Sequence, residues 1–199
     1  SLFMPCFLHT IPTRSGRNLS YNITLSPATE PRPANSITMP DLIHEFIARS
    51  ARLSPLAPAL YYKDRSFNYT QLQEQVAAVA GALLELGVGA GERVAVYLPK
   101  QPETVFGLFG TAAAGACFVP INPLLKPRQV AHILPHCNVR VLITSSTRLE
   151  SLREAVCASP ELHTIVLVDS REPDHTSSLP QTVLSYVSFC GVANGARAP

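Results

Sequence analysis

Two histidines and a cysteine have the spacing of metal ligands. His132 and His136 lie four residues apart, about one helical turn, and Cys137 follows directly. Pro135 stands between the histidines and should kink or end a helix there. No second pair of ligand residues lies nearby in the sequence. We therefore interpret both histidines as surface or half-buried residues and predict no metal site.

Three alternate glycines, Gly87, Gly89 and Gly91, suggest a dinucleotide-binding loop. Such a loop follows a strand and opens a helix, so that the pyrophosphate meets the helix N-terminus. Here a helical pattern precedes the glycines, and a strand-like run begins at Arg93. Because the order is reversed, we interpret Gly87 as a left-handed helix cap and the other glycines as a turn. The acidic residues are scattered, so spacing supports no Ser–His–Asp or paired-carboxylate arrangement.

The elements around these residues follow one another regularly from Asp41 onward. Asp41 is expected to cap a first helix, and Thr70 with Gln73 to form the capping box of a long second one. Between them, 57–63 and 66–69 read as a small β-hairpin. Further strands are expected at 93–98, 117–121, 140–144 and 164–169, and further helices at 103–116, from Pro127 to Pro135 and at 147–157.

The alternation of strands and helices predicts the fold class. The central strands are solidly apolar rather than alternating, which is typical of a parallel sheet covered on both faces. We predict an α/β fold with mostly parallel βαβ layers and an N-terminal hairpin over residues 39–170. Residues 171–199 are expected to be a linker-like tail. The apolar run 105–119 is shorter than the roughly 20 residues that cross a bilayer, so we predict no transmembrane segment.

Composition excludes some partners and suggests a compartment. The formal net charge is +2, with 16 Lys and Arg against 14 Asp and Glu and no basic stripe, so no nucleic-acid partner is expected. The five cysteines are an odd number without a C-x-x-C pair, which favours a reducing cytoplasm over a disulfide framework.

The first 38 residues differ from the rest. They contain five prolines among Ser, Thr and Asn without apolar periodicity. Such a segment cannot bury enough apolar surface to offset its ordering entropy, so we predict a disordered leader. Met39 stands directly before the first helical pattern, and we interpret it as the natural start of the protein.

An ordered series of segments resembles the opening of the adenylate-forming (AMP-binding) superfamily, which includes AMP-forming acyl-CoA ligases and peptide-synthetase adenylation domains. The series covers about two thirds of the chain and is most similar to bacterial acyl-CoA ligases. Its residue pattern also resembles that of ligases associated with exopolysaccharide and exosortase systems. The segments are FNYTQL at 67–72, LGVGAGERVAV at 86–96, LPKQPE at 98–103, FVPINP at 118–123 and HIL at 132–134.

The resemblance implies a reaction in two steps. A carboxylate attacks the α-phosphate of ATP to give an acyl-adenylate, and coenzyme A then displaces AMP. The full-length family uses ATP, Mg²⁺ and coenzyme A, with a loop rich in Ser, Thr and Gly that ends in Pro-Lys-Gly. This chain has no such loop. The hydroxyl-rich run 144–147 lacks glycine and a following lysine and reads as a strand end with a helix cap.

The three lysines, Lys63, Lys100 and Lys126, all belong to early family segments. None matches the family's catalytic lysine, which the resemblance places in a C-terminal domain. We therefore assign no catalytic, cofactor-binding or metal-binding residue to this chain.

Three functional hypotheses follow. The first is a truncated ligase, the N-terminal fragment of an ATP-dependent acid–CoA ligase that is inactive alone. The second is one subunit of a split ligase, completed by a second chain that carries the remaining segments. The third is a non-catalytic acyl-binding or interaction module. Under the first hypothesis, a severed sheet should leave an unpaired edge and uncovered apolar faces, and we expect marginal stability.

Overall fold

The computed structural model describes residues 42–169 and 179–195, with side chains up to Gly191. The predicted leader 1–38 and the start at Met39 lie outside the described residues. The described residues form two sheets and six helices. None of these helices is both long and apolar enough to span a bilayer.

The elements follow the predicted order, with a strand and a helix added at the end. The helices are α1 (Glu45–Leu53), α2 (Tyr69–Glu85), α3 (Pro102–Ala113), α4 (Pro127–His136), α5 (Ser146–Cys157) and α6 (Tyr186–Gly195). The strands are β1 (Pro58–Tyr62), β2 (Arg65–Asn68), β3 (Arg93–Val96), β4 (Cys117–Pro120), β5 (Val139–Thr144), β6 (Thr164–Leu167) and β7 (Thr182–Ser185).

The large sheet is fully parallel, and its strand order reveals where the chain reverses. The order is β4-β3-β5-β6-β7, and every neighbouring pair is parallel. The chain runs from β3 outward to β4, then crosses back over β3 to β5 and continues the other way. Strands β1 and β2 form the separate antiparallel hairpin. The predicted α/β class, the parallel layer and the hairpin are confirmed.

Alternate side chains of β3 enter two different cores. Val94 and Val96 pack with α2, α3 and Phe189 of α6 on one face, whereas Ala95 packs with α4 and α5 on the other. All three β3 residues have exposed fractions of 2% or less. Helices therefore cover β3 on both faces, so the expectation of uncovered apolar faces does not hold there. The edge strand β4 is mostly exposed, and its Phe118 is 37% exposed.

The segment expected to be a linker-like tail is partly structured. Residues 182–185 form β7, which pairs in parallel with β6 from Thr164 to Leu167. Helix α6 follows at once, and its Phe189 is fully buried in the core that contains Val96. The prediction failed because a strand of four residues has too short a pattern to be recognised without its neighbour.

The helix caps differ from the prediction by a few residues. Helix α2 begins at Tyr69 rather than Thr70, and Asn68 caps it by accepting a 2.8 Å hydrogen bond from the Gln71 backbone N–H. The Gln71 side chain in turn accepts a bond of 3.0 Å from the Asn68 N–H, which completes the capping box two residues early. Helix α1 begins at Glu45 after His44, and the expected cap Asp41 lies outside the described residues.

Two local predictions are confirmed. Gly87 follows α2 with a φ of 73°, the left-handed conformation that glycine adopts without strain. Pro135 lies inside the last turn of α4, and the helix ends one residue later at His136.

The edge strand β4 exposes a proline. Cys117 and Ile121 donate their backbone N–H groups to Glu92 and Val96, so these alternate residues face β3. Phe118 and Pro120 consequently turn their main-chain groups away from the sheet. Because proline has no N–H, an additional strand would find fewer donors along this edge.

Helix α3 lies unusually close to its neighbours because it carries glycines. A Cβ built on Gly107 would lie 3.2 Å from Val96 and 3.3 Å from Ile143. A Cβ on Gly110 would lie 2.5 Å from Cγ1 of Val79 and 3.1 Å from the main-chain oxygen of Val76. Gly107 and Gly110 therefore permit the tight packing of α3.

We expect Gly110→Ala to lower the free energy of unfolding by about 1–3 kcal/mol, because the new methyl group overlaps Val79 and the α2 backbone cannot move away freely. Urea unfolding followed by circular dichroism measures this. Gly191→Ala is the matched control: its Cβ would have nothing within 4 Å, so helix propensity alone should keep or raise the stability. Equal effects of the two substitutions would contradict the packing argument.

Candidate functional site

The candidate site lies at the carboxyl ends of the parallel strands. In open parallel sheets, ligands bind beyond these ends, near the point where the strand order reverses. In this chain the reversal lies between β3 and β5. Beside it, the loops after β3 and β4 border an open pocket of about 610 Å³. Its walls include Val96, Leu98, Pro99, Lys100, Thr104, Pro120, Ile121, Asn122, Pro123 and Leu124.

The β4–α4 loop is held in place from the sheet. Tyr97 is 3% exposed, and its hydroxyl donates a 2.7 Å hydrogen bond to the main-chain oxygen of Leu125. Arg148 of α5 donates to the Pro123 oxygen at 3.1 Å, and its guanidinium lies 4.3 Å from the centre of the Tyr97 ring. Two hydrogen bonds thus hold the loop, and a cation–π contact holds their two donors, Tyr97 and Arg148, together. Sequence spacing could not reveal these contacts.

The loop itself is ordered by short-range bonds. The Asn122 side-chain oxygen accepts a 3.0 Å hydrogen bond from the Leu124 N–H. The main-chain oxygen of Asn122 accepts a second bond, also 3.0 Å long, from the Leu125 N–H. On the opposite wall, the Thr104 hydroxyl donates to the Pro99 oxygen at 2.7 Å. These bonds give the pocket preformed walls.

Lys100 is the cation on the pocket wall. Its side chain is exposed, and none of the ion pairs between described residues involves it. Glu103, one turn away, is paired with Arg65 at 3.1 Å. The nearest acidic side chain in the sequence is therefore already neutralised, and the Lys100 ammonium faces solvent.

The other lysines and the histidines lie elsewhere. Lys63 occupies the hairpin turn with its ammonium 5.3 Å from the centre of the Tyr62 ring. Lys126 precedes α4 and is exposed. His132 and His136 are exposed on α4, and the described residues contain no group of three metal-ligating side chains.

The hydroxyl-rich run 144–147 is a strand end and a helix start, as predicted. Thr144 ends β5 and donates its hydroxyl to the Tyr97 oxygen at 3.1 Å. Ser146 begins α5, where its N–H and hydroxyl both donate to the Asp169 carboxylate at 2.9 Å. A carboxylate at a helix N-terminus is electrostatically favourable. Since Asp169 follows β6 and Ser146 follows β5, these bonds link the ends of the two strands. No sequence spacing indicates this role of Asp169, because its partner Ser146 lies 23 residues away.

A buried phenol lies at the start of α6, near the beginning of α3. The Tyr186 hydroxyl is buried and makes no hydrogen bond to a nitrogen or oxygen atom among the described residues. Burial raises the pKa of Tyr186 far above its usual range, and the neighbouring Cys190 thiol and Glu103 carboxylate raise it further. Burial also raises the pKa of the Cys190 thiol, an effect that Tyr186 partly offsets. Both groups are therefore neutral in the folded protein at pH 7.

Loss of the loop contacts should loosen one wall of the pocket. We expect Tyr97→Phe to cost about 0.5–1.5 kcal/mol, because the Leu125 carbonyl loses its donor. Hydrogen exchange of the loop amides at 121, 122 and 124–126 should speed up in Tyr97→Phe and Arg148→Met. Arg153→Met is the control on the same helix, since Arg153 forms an exposed bridge with Glu150 of its own helix. Unchanged exchange in the loop would show that these contacts do not hold it.

The buried phenol predicts a pH dependence. Below its unfolded pKa of about 10, this phenol is neutral in both the folded and the unfolded state. Above that pH only the unfolded state ionises, so stability falls as pH rises. Tyr186→Phe should therefore match or exceed the parent stability at pH 7 and lose less stability between pH 9 and 11. Tyr61→Phe, at a side chain 70% exposed, should follow the parent at every pH.

The chain is similar in sequence to parts of much longer known proteins. The chain is 29% identical over 157 residues to tyrocidine synthase 2 of Brevibacillus parabrevis, covering 77% of this chain and 4% of that protein. It is 32% identical over 164 residues to phenyloxazoline synthase MbtB of Mycobacterium tuberculosis, covering 78% of this chain and 11% of that protein.

A solved structure gives the same result. The anthranilate CoA ligase AuaEII, in complex with anthranoyl-AMP, superposes with a TM-score of 0.69 and 28% identity, covering 76% of this chain and 28% of that one. The chain thus spans less than a third of the length of these relatives. The model of the family described as AMP-binding enzyme matches residues 47–191, and the chain belongs to that family.

Proposed function

We propose that this chain is the N-terminal part of an enzyme that activates a carboxylic acid with ATP. The family match over residues 47–191 carries the proposal. It is supported by the similarity to a ligase whose structure contains an acyl-adenylate. In such a reaction the acid carboxylate attacks the α-phosphate of ATP, pyrophosphate leaves, and the acyl-adenylate then reacts with a nucleophile.

We further propose that the nucleophile is the thiol of coenzyme A. The relatives include peptide synthetases as well as CoA ligases. The ligase-like segments at 98–103 and 118–123, together with the similarity to the anthranilate CoA ligase, support the CoA branch. An association with exopolysaccharide or exosortase systems stays a prediction.

The described residues do not fit the ATP phosphates or Mg²⁺. The sequence has no Ser/Thr/Gly-rich loop followed by Lys-Gly, and its three lysines lie in a hairpin turn, on a pocket wall and before a helix. No three metal-ligating side chains cluster within the described part of the chain. We therefore propose that other segments of the enzyme hold these groups, either in a longer chain or in a second chain.

A cytoplasmic location fits this proposal. The reaction consumes ATP, and the four cysteines in the described residues are all free, as a reducing compartment would leave them.

The proposal is tested by ATP–pyrophosphate exchange with a panel of aliphatic and aryl acids. The purified chain alone should give no exchange above the no-acid background. The same chain joined to, or mixed with, the remaining segments of an adenylate-forming ligase should give acid-dependent exchange. Exchange by the isolated chain would overturn the assignment of ATP binding to other segments. Failure of every completed form would overturn the proposed function.

A further inference from the structure

We propose that His132 and His136 of α4 chelate a divalent transition-metal ion of the class of Zn²⁺, Ni²⁺ and Cu²⁺. The imidazoles supply two ligands, and water completes the coordination. Imidazole suits these ions, whereas Mg²⁺ prefers oxygen ligands, so this site is distinct from any Mg²⁺ of the ligase reaction. The inference goes beyond the proposed function, because the binding requires neither ATP nor an acid.

The helix gives the two histidines the spacing of a chelate. Pro135 ends α4 only after His136, so both histidines belong to the helix, which runs from Pro127 to His136. The Cys137 N–H still donates to the Ile133 oxygen at 2.9 Å, so the four-residue repeat continues past the proline. Residues four apart on a helix have their Cβ atoms about 5–6 Å apart on one face, and two imidazoles at that spacing can reach one ion.

Both imidazoles are available to a ligand. The two side chains are exposed, and no hydrogen bond or ion pair between described residues involves either ring. The neighbouring Cys137 is half-buried and packs against the core that contains Val130 and Leu134, so it is not counted as a ligand. No third metal-ligating side chain joins the pair among the residues that the structure describes. The site therefore has two protein ligands and open positions for water.

A bound ion would fasten the weakest turn of α4. Because proline has no N–H, Pro135 cannot donate to the Ala131 oxygen, and the last turn lacks that main-chain hydrogen bond. The turn leads to the main-chain oxygens of Cys137 and Asn138, which accept bonds of 2.7 and 3.2 Å from the Arg93 guanidinium. An ion held by both histidines binds the folded turn and not the frayed one, so it stabilises the turn by mass action.

Zn²⁺ is the probe, and NMR of the histidine rings in the untagged full chain is the readout. We expect the His132 and His136 signals to shift together along one saturating curve, while the half-buried His44 does not respond. His132→Asn and His136→Asn should each weaken binding by about 10²-fold, because the chelate loses its second attachment. The shifts should persist in Cys157→Ser, which removes an exposed thiol of the neighbouring helix.

A relocated pair is the matched control. Arg128 is exposed and lies four residues before His132 on the same helix. Arg128→His combined with His136→Asn therefore rebuilds the spacing one turn earlier and should regain Zn²⁺ binding. Arg128→Asn combined with His136→Asn should not. All these positions are exposed, and circular dichroism confirms that each variant is folded.

Hydrogen exchange gives a second readout. Zn²⁺ should slow exchange of the Cys137 amide in the parent and leave it unchanged in His136→Asn. Absence of saturable ring shifts, parent-like binding by His136→Asn, or failure of the relocated pair to bind would overturn the inference. None of these measurements involves adenylation, so a failure of the proposed function gives a different result.

Discussion

The close contact of α3 with both the sheet and α2 is the constraint on which the rest of the structure depends. Gly107 lets the helix lie against Val96 and Ile143, and Gly110 lets it lie against Val79. Side chains at these two positions would push the helix outward. Because the loop after β3 leads straight into α3, the position of this helix also sets the wall of the pocket that contains Pro99, Lys100 and Thr104.

Much of the fold could be predicted from local pattern. The solid apolar character of β3 and β5 indicated burial on both faces, and the two core clusters explain it. Gly87 and Pro135 were interpreted correctly because their effects are local backbone effects. The capping box was misplaced by two residues because Asn68 and Gln71 satisfy the same pattern as Thr70 and Gln73.

The parts that could not be predicted depend on contacts distant in sequence. Strand β7 is recognised only by its pairing with β6, and Asp169 meets Ser146 across 23 residues. Arg148 and Tyr97 meet because α5 passes over the end of β3, which no spacing rule encodes. The pocket was missed for the same reason: its two loops come together only when β3 and β4 pair.

The proline that ends β4 has a consequence for access. Main-chain groups of Phe118 and Pro120 point away from the sheet, and Pro120 offers no donor there. An edge with fewer donors pairs less readily with a further strand. Pro120 is also part of the pocket wall, so the residue that disfavours a sixth strand also lines the pocket.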